Sequence, residues 1–110
     1  MKKLKGAVGV NRLSKIDHEL LVLALCQAVR DRRETLQVSQ SELARRSGLH
    51  RSYIGDVERG SRNVSVKNLS RLATALELSA SELMSSAETK LSSEGGLLGK
   101  RPSLPTVDAL

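Results

Sequence analysis

The chain has 110 residues, with 18 lysines and arginines against 12 acidic residues, and Tyr53 is its only aromatic. That length leaves room for one small domain plus tails, and its core has to be aliphatic. Lone Cys26 excludes an intrachain disulfide, and the apolar run Leu20–Leu25 is too short for a signal peptide or a membrane span, so a reducing cytoplasm is expected.

The net charge of +6 is unevenly placed. Lys2, Lys3, Lys5, Arg12 and Lys15 lie in the first fifteen residues with no acid among them, while residues 16–85 carry ten basic and nine acidic residues. Residues 1–13, with Gly6, Gly9 and Asn11 among the lysines, read as a basic flexible arm. A basic arm on a balanced domain suits nucleic acid, and it also suits plain solubility.

A first helix is expected from a cap at Ser14 or Asp17 to about Thr35, with Leu25, Val29 and Leu36 facing the core. Its N-terminal half, Ile16, Leu20, Leu21 and Leu23, is apolar enough to need a cover, from the C-terminal segment or from a second subunit. Next comes SQSELARRSGLHRSYIGDVERG, residues 39–60, two short helices joined by a tight turn. Ser39 caps the first of them, about Gln40–Ser47, and Gly48 supplies the turn because it accepts positive φ. The following helix, about Arg51–Arg59, begins at His50, a weaker cap than Ser or Thr, and stops at Gly60.

On a helical wheel this third helix is two-faced. Arg51, Ser52, Gly55, Asp56 and Arg59 fall within an arc of about 140°, and Tyr53, Ile54 and Val57 lie opposite, with Glu58 at the boundary. Glycine in the middle of an exposed helical face costs roughly 1 kcal/mol relative to alanine. It makes sense where something large, such as a DNA major groove, approaches the backbone.

After the loop Gly60–Val64, Ser65 caps a fourth helix with Leu69, Leu72, Ala73 and Leu76 as its apolar stripe. Ser79 and Glu82 form an S-x-x-E capping box for a short fifth helix ending near Ser85. Residues 14–85 thus make the domain, and residues 86–110, with three glycines and two prolines, read as a flexible tail.

VRDRRETLQVSQSELARRSG, SYIGDVERGSRN and LSRLATALELSASEL, in that order and spacing, resemble the helix-turn-helix domain of the phage Cro and repressor (XRE) family. The resemblance covers about Leu25 to Met84 and implies an all-α, five-helix, lambda-repressor-like fold. Within the family, RSYIGDVERGSRNVSVKNL looks most like the controller proteins of restriction–modification systems, in which the R-S-Y and S-R-N segments both meet DNA. Val64, where many other members have proline, points the same way.

The resemblance implies a homodimer on an inverted-repeat site in double-stranded DNA, acting as a transcriptional regulator. Arg51 would donate two hydrogen bonds to guanine, Ser52 and Asp56 fall on base-reading positions, and Arg59 ends the same face. An acid such as Asp56 must accept from cytosine N4 or be repelled by phosphates. Gln40 matches a phosphate-holding position at a helix N-terminus, Tyr53 can pack its ring while its hydroxyl reaches DNA, and Arg62 and Asn63 stand in the loop beyond. Arg33 and Glu58 match a buried pair that locks helix one onto helix three. Gln37 stands where the family usually has glycine, and a left-handed glutamine would cost roughly 1 kcal/mol, so a differently shaped turn is expected.

His18, His50 and Cys26 give no zinc spacing, and no Ser-His-Asp set, paired carboxylates or P-loop is present, so neither an enzyme nor a cofactor is expected. Two other readings stay open. One is the antitoxin of a toxin–antitoxin pair, with a toxin held by the leucine-rich first helix or the tail. The other is an interaction module that has lost DNA binding. Beside DNA and a second copy of the chain, RNA polymerase or a toxin is a candidate further partner.

Overall fold

Five helices and the turns between them account for residues 15–92, which are the residues described by a computed structural model of the chain. They are α1 (Lys15–Thr35), α2 (Gln40–Ser47), α3 (Arg51–Glu58), α4 (Val66–Ala75) and α5 (Ala80–Ser92). The basic arm, Ser14, the side chain of Ile16, and the tail beyond Ser92 with Leu97 and Leu98 lie outside the described residues. Lys15 is already helical, so Asp17 sits inside the first turn of α1 rather than before it.

One aliphatic core joins all five helices. Leu20, Leu43, Ile54, Leu72, Leu76 and Leu83 are its largest fully buried side chains, with Val29, Val57 and Cys26 beside them. Truncating any of these leucines to alanine removes roughly 2–5 kcal/mol, part of it from the cavity left behind. Leu36 and Leu69, expected in the core, are half-buried at its edge. Of the apolar surplus of α1, Leu20 and Leu23 are buried within the chain and Leu21 is half-buried. α1 packs mainly on α5, and Leu20, Leu23 and Ala24 share one buried cluster with Leu83 and Ala87.

That packing extends α5 to Ser92, seven residues past the expected end. Ser85 and Ser86 interrupt the apolar pattern to the eye, yet they are exposed. Leu83, Ala87 and Leu91 recur every four residues on one face, with Leu83 and Ala87 fully buried. Lys90 adds an ion pair to Asp31 of α1. Residues 86–92 therefore belong to the helix and not to a tail.

The caps of α2, α4 and α5 fall where the sequence puts them. Ser39 Oγ accepts from the Glu42 amide at 3.0 Å and Ser65 Oγ from that of Asn68 at 3.1 Å. Ser79 and Glu82 close their box from both sides, at 3.0 and 2.8 Å. His50 occupies the cap position of α3 without a side-chain bond.

The turn after α1 departs from expectation. Gln37 adopts φ 59°, and the turn keeps the left-handed shape a glycine would give. The Gln37 amide donates to Glu34 O at 3.0 Å and that of Val38 to Arg33 O at 3.1 Å, the two bonds of a Schellman ending. Arg33 Nη1 donates to Val38 O at 2.8 Å, and Val38 is buried. These contacts hold the turn against the strain. Glu77, at φ 64°, ends α4 in the same way.

Candidate nucleic-acid interface

α2, the turn at Gly48 and α3 form the helix-turn-helix, and its geometry is set from behind. Arg33 of α1 meets Glu58 of α3 in a forked pair, Nε to Oε2 at 2.6 Å and Nη2 to Oε1 at 2.9 Å. The Glu58 side chain is only 3% exposed and that of Arg33 13%. The hydrogen bond to Glu58, with its charge, holds the Arg33 guanidinium above the ordinary arginine range. Gln40 Nε2 donates to Glu58 Oε1 at 2.9 Å, so one carboxylate ties α1, α2 and α3 together. Gln40 does stand at the first position of α2, but its amide is engaged inward.

The C-terminus of α3 is fixed just as closely. Gly60, at φ 77°, ends the helix with its amide on Val57 O at 2.9 Å and that of Ser61 on Asp56 O at 3.0 Å. A Cβ at position 60 would lie 2.6 Å from Leu23 Cδ2, so α1 packs directly against this turn. Cys26 Sγ lies 3.7 Å from Arg62 O and donates to it, which anchors the following loop to α1. Burial pushes the Cys26 thiol up to about 11.

On the outer side, Arg51 and Ser52 are exposed at the N-terminus of α3, and no ion pair among the described residues involves Arg51. The other arginines nearby are matched by acids. Glu42 holds Arg45 and Arg46, and their hydrogen bonds bring its carboxyl down to about 2. Asp56 holds Arg59 through one oxygen and Arg62 through the other, the latter at 3.4 Å.

Gly55 is not the exposed backbone expected of it. It is buried, and a Cβ there would lie 3.3 Å from Arg59 Nη1, because the Arg59 side chain lies across it. Tyr53 packs its ring against the core edge, with the Arg62 guanidinium 5.4 Å from the ring centroid. Its hydroxyl accepts from Asn68 Nδ2 of α4 at 3.1 Å. Asn63 is exposed in the loop beside Arg62.

The structure thus brings Arg51, Ser52, Tyr53, Asp56, Arg59, Arg62 and Asn63 onto α3 and the loop after it, and places Gln40 behind them on α2. Sequence reasoning missed Asn68 and Cys26. Asn68 looks only like the recipient of the Ser65 cap, and its second partner is fifteen residues away. Cys26 looks like a small core residue until its thiol is seen on Arg62 O.

A helix-turn-helix family model matches residues 29–83, half of the chain. The chain belongs to the helix-turn-helix family. It is 48% identical over 60 residues to the control protein C.SmaI of Serratia marcescens, covering 54% of this chain and 71% of that protein. With the control protein C.BamHI of Bacillus amyloliquefaciens the identity is 45% over 47 residues, 43% of this chain and 58% of the relative. Among solved structures, the restriction-modification controller protein C.AhdI from Aeromonas hydrophila matches with TM-score 0.54 and 51% identity, over 57% of this chain and 94% of its own. The clp gene regulator ClgR from Corynebacterium glutamicum matches with TM-score 0.65 and 29% identity, over 79% of this chain and 88% of its own. No helix among the described residues is long and apolar enough to cross a membrane.

Proposed function

We propose that this helix-turn-helix protein is a sequence-specific regulator of transcription that binds double-stranded DNA as a homodimer on an inverted repeat. The observation that carries this is Arg51, exposed and without an acidic partner among the described residues, at the N-terminus of a helix held rigid by the Arg33–Glu58 fork. A planar guanidinium presented there matches the O6 and N7 acceptors of guanine in the major groove. One eight-residue helix reaches only a few base pairs, so selectivity requires two. A twofold dimer would set the two copies of α3 about 34–36 Å apart, one turn of duplex.

Identity to two control proteins and to C.AhdI supports a narrower reading, control of a restriction–modification system in the cytoplasm. Genes for a methyltransferase and an endonuclease beside this one would support that part. The main test is selection of bound duplexes from a random pool, with sedimentation of the free protein and of its complex. An enriched inverted repeat occupied by two chains is expected. A monomer protecting a single unrepeated site would refute the dimer, and no enrichment at all would refute sequence-specific binding.

A further inference from the structure

On the face offered to DNA, the one acid of α3 besides buried Glu58 is Asp56, and both its oxygens are taken by arginines. Oδ1 accepts from Arg59 Nη2, and Oδ2 accepts from Arg62 Nε at 3.4 Å. The Asp56 side chain is 29% exposed, whereas Arg59 is 68% and Arg62 54% exposed. Those contacts lay Arg59 across Gly55 and keep Arg62 beside the Tyr53 ring. A carboxylate between two guanidiniums makes the same kind of charge-assisted hydrogen bonds to them that a phosphate oxygen makes.

We propose that Asp56 is an internal counter-charge that competes with DNA phosphate for Arg59 and Arg62, and so sets the sequence-independent part of the affinity without reading a base. This rests on the DNA-binding reading above and deepens it. Engaging a phosphate means that each arginine exchanges one anion for another, which leaves little net gain. The cost is the same on every sequence, because phosphates carry none. Arg51 has no such competitor among the described residues, so base discrimination stays with the N-terminus of the helix.

The experiment measures wild type, Asp56→Asn, Asp56→Ser and Arg51→Ala on the selected duplex, on its single-base variants and on an unrelated duplex, over a range of salt. If Asp56 is a counter-charge, both Asp56 variants bind all duplexes more tightly by a common factor of roughly three to twenty, the range expected for releasing two exposed ion pairs. Their log–log salt slope steepens by up to about 0.9 for each arginine that gains a phosphate. Preference at every base pair is unchanged. Weaker binding confined to the selected site, with altered preference at one C·G pair, would show that Asp56 reads cytosine and would sink the proposal; so would unchanged affinity on all duplexes. An Arg51→Ala loss beside unchanged Asp56 variants overturns the counter-charge alone. If wild type shows no sequence preference and Arg51→Ala changes nothing, the base-reading function fails as well.

Discussion

Arg33 and Glu58, twenty-five residues apart, form a forked ion pair with almost no exposure on the Glu58 side, and Gln40 completes the carboxylate's partners. The pair joins α1 to α3 at the base of the helix-turn-helix, and Gln40 adds α2. Breaking a buried pair costs roughly 3–5 kcal/mol. The low end is expected for Glu58→Ala, because Arg33 keeps Glu34 at 3.9 Å and the Val38 carbonyl at 2.8 Å. Glu58→Ala should therefore melt well below Arg59→Ala, whose exposed pair with Asp56 is worth at most about 1 kcal/mol. Thermal unfolding of the two variants side by side gives the answer. Equal melting temperatures would remove the pair as an organising contact.

Gln37 supplies a test in the opposite direction. At φ 59° its side chain gains nothing that a glycine would lose, since it is exposed and its backbone makes the turn's bonds. Gln37→Gly should stabilise the domain by about 1 kcal/mol, somewhat less once the extra entropy of an unfolded glycine is counted. Gln37→Ala should change stability far less. Denaturant melts in which glycine is no better than alanine would show that the left-handed turn is not strained.

What the sequence displays of all this is local. Ser39, Ser65 and the Ser79–Glu82 box announce three helix starts within a few residues, and each forms the predicted bond. The Arg33–Glu58 pair is long-range and came from the family resemblance, not from any pattern within the chain. What stayed hidden depends on packing at a distance. The continuation of α5 needs α1 as its partner before Ala87 reads as an interior residue. Gly55 looks exposed on a wheel because a wheel does not show that Arg59 folds back over it. The inward bond of Gln40 and the Asn68–Tyr53 contact likewise join helices whose angles no period encodes.

Cys26 makes stability depend on alkaline pH. Its thiol sits at about 11 in the fold, against an ordinary 9.0, because burial disfavours the thiolate. Below pH 9 both folded and unfolded chains hold the proton, and the contribution is fully present. Between pH 9 and 11 the unfolded chain releases it first, so stability falls as pH rises, by roughly 2–3 kcal/mol at most. Cys26→Ala should show a shallower decline over the same interval, measured by denaturant melts at several pH values. Native thiol alkylation at pH 8 should also be slow. Parallel alkaline profiles for the two proteins would mean that the thiol titrates normally.

Reading and holding separate at Arg51 and Gln40. Arg51 is exposed and without an acidic partner among the described residues, and its fork suits guanine, so Arg51→Ala should cost roughly 1–3 kcal/mol on the selected site and relax preference at one position. Arg51→Lys should restore only part, because an ammonium lacks the planar pair of donors. Gln40 stands at the start of α2 with its amide on Glu58, so in the proposed complex its part would be to hold α3 and, at most, a phosphate at the helix end, not to read a base. Gln40→Ala should weaken all duplexes by a similar factor and lower the melting temperature slightly, since Glu58 loses a donor. The comparison that decides is a panel of single-base variants bound by each mutant at one salt concentration. A uniform loss with Arg51→Ala would make Arg51 a backbone contact and move the reading role to Ser52 or to the loop at Arg62 and Asn63.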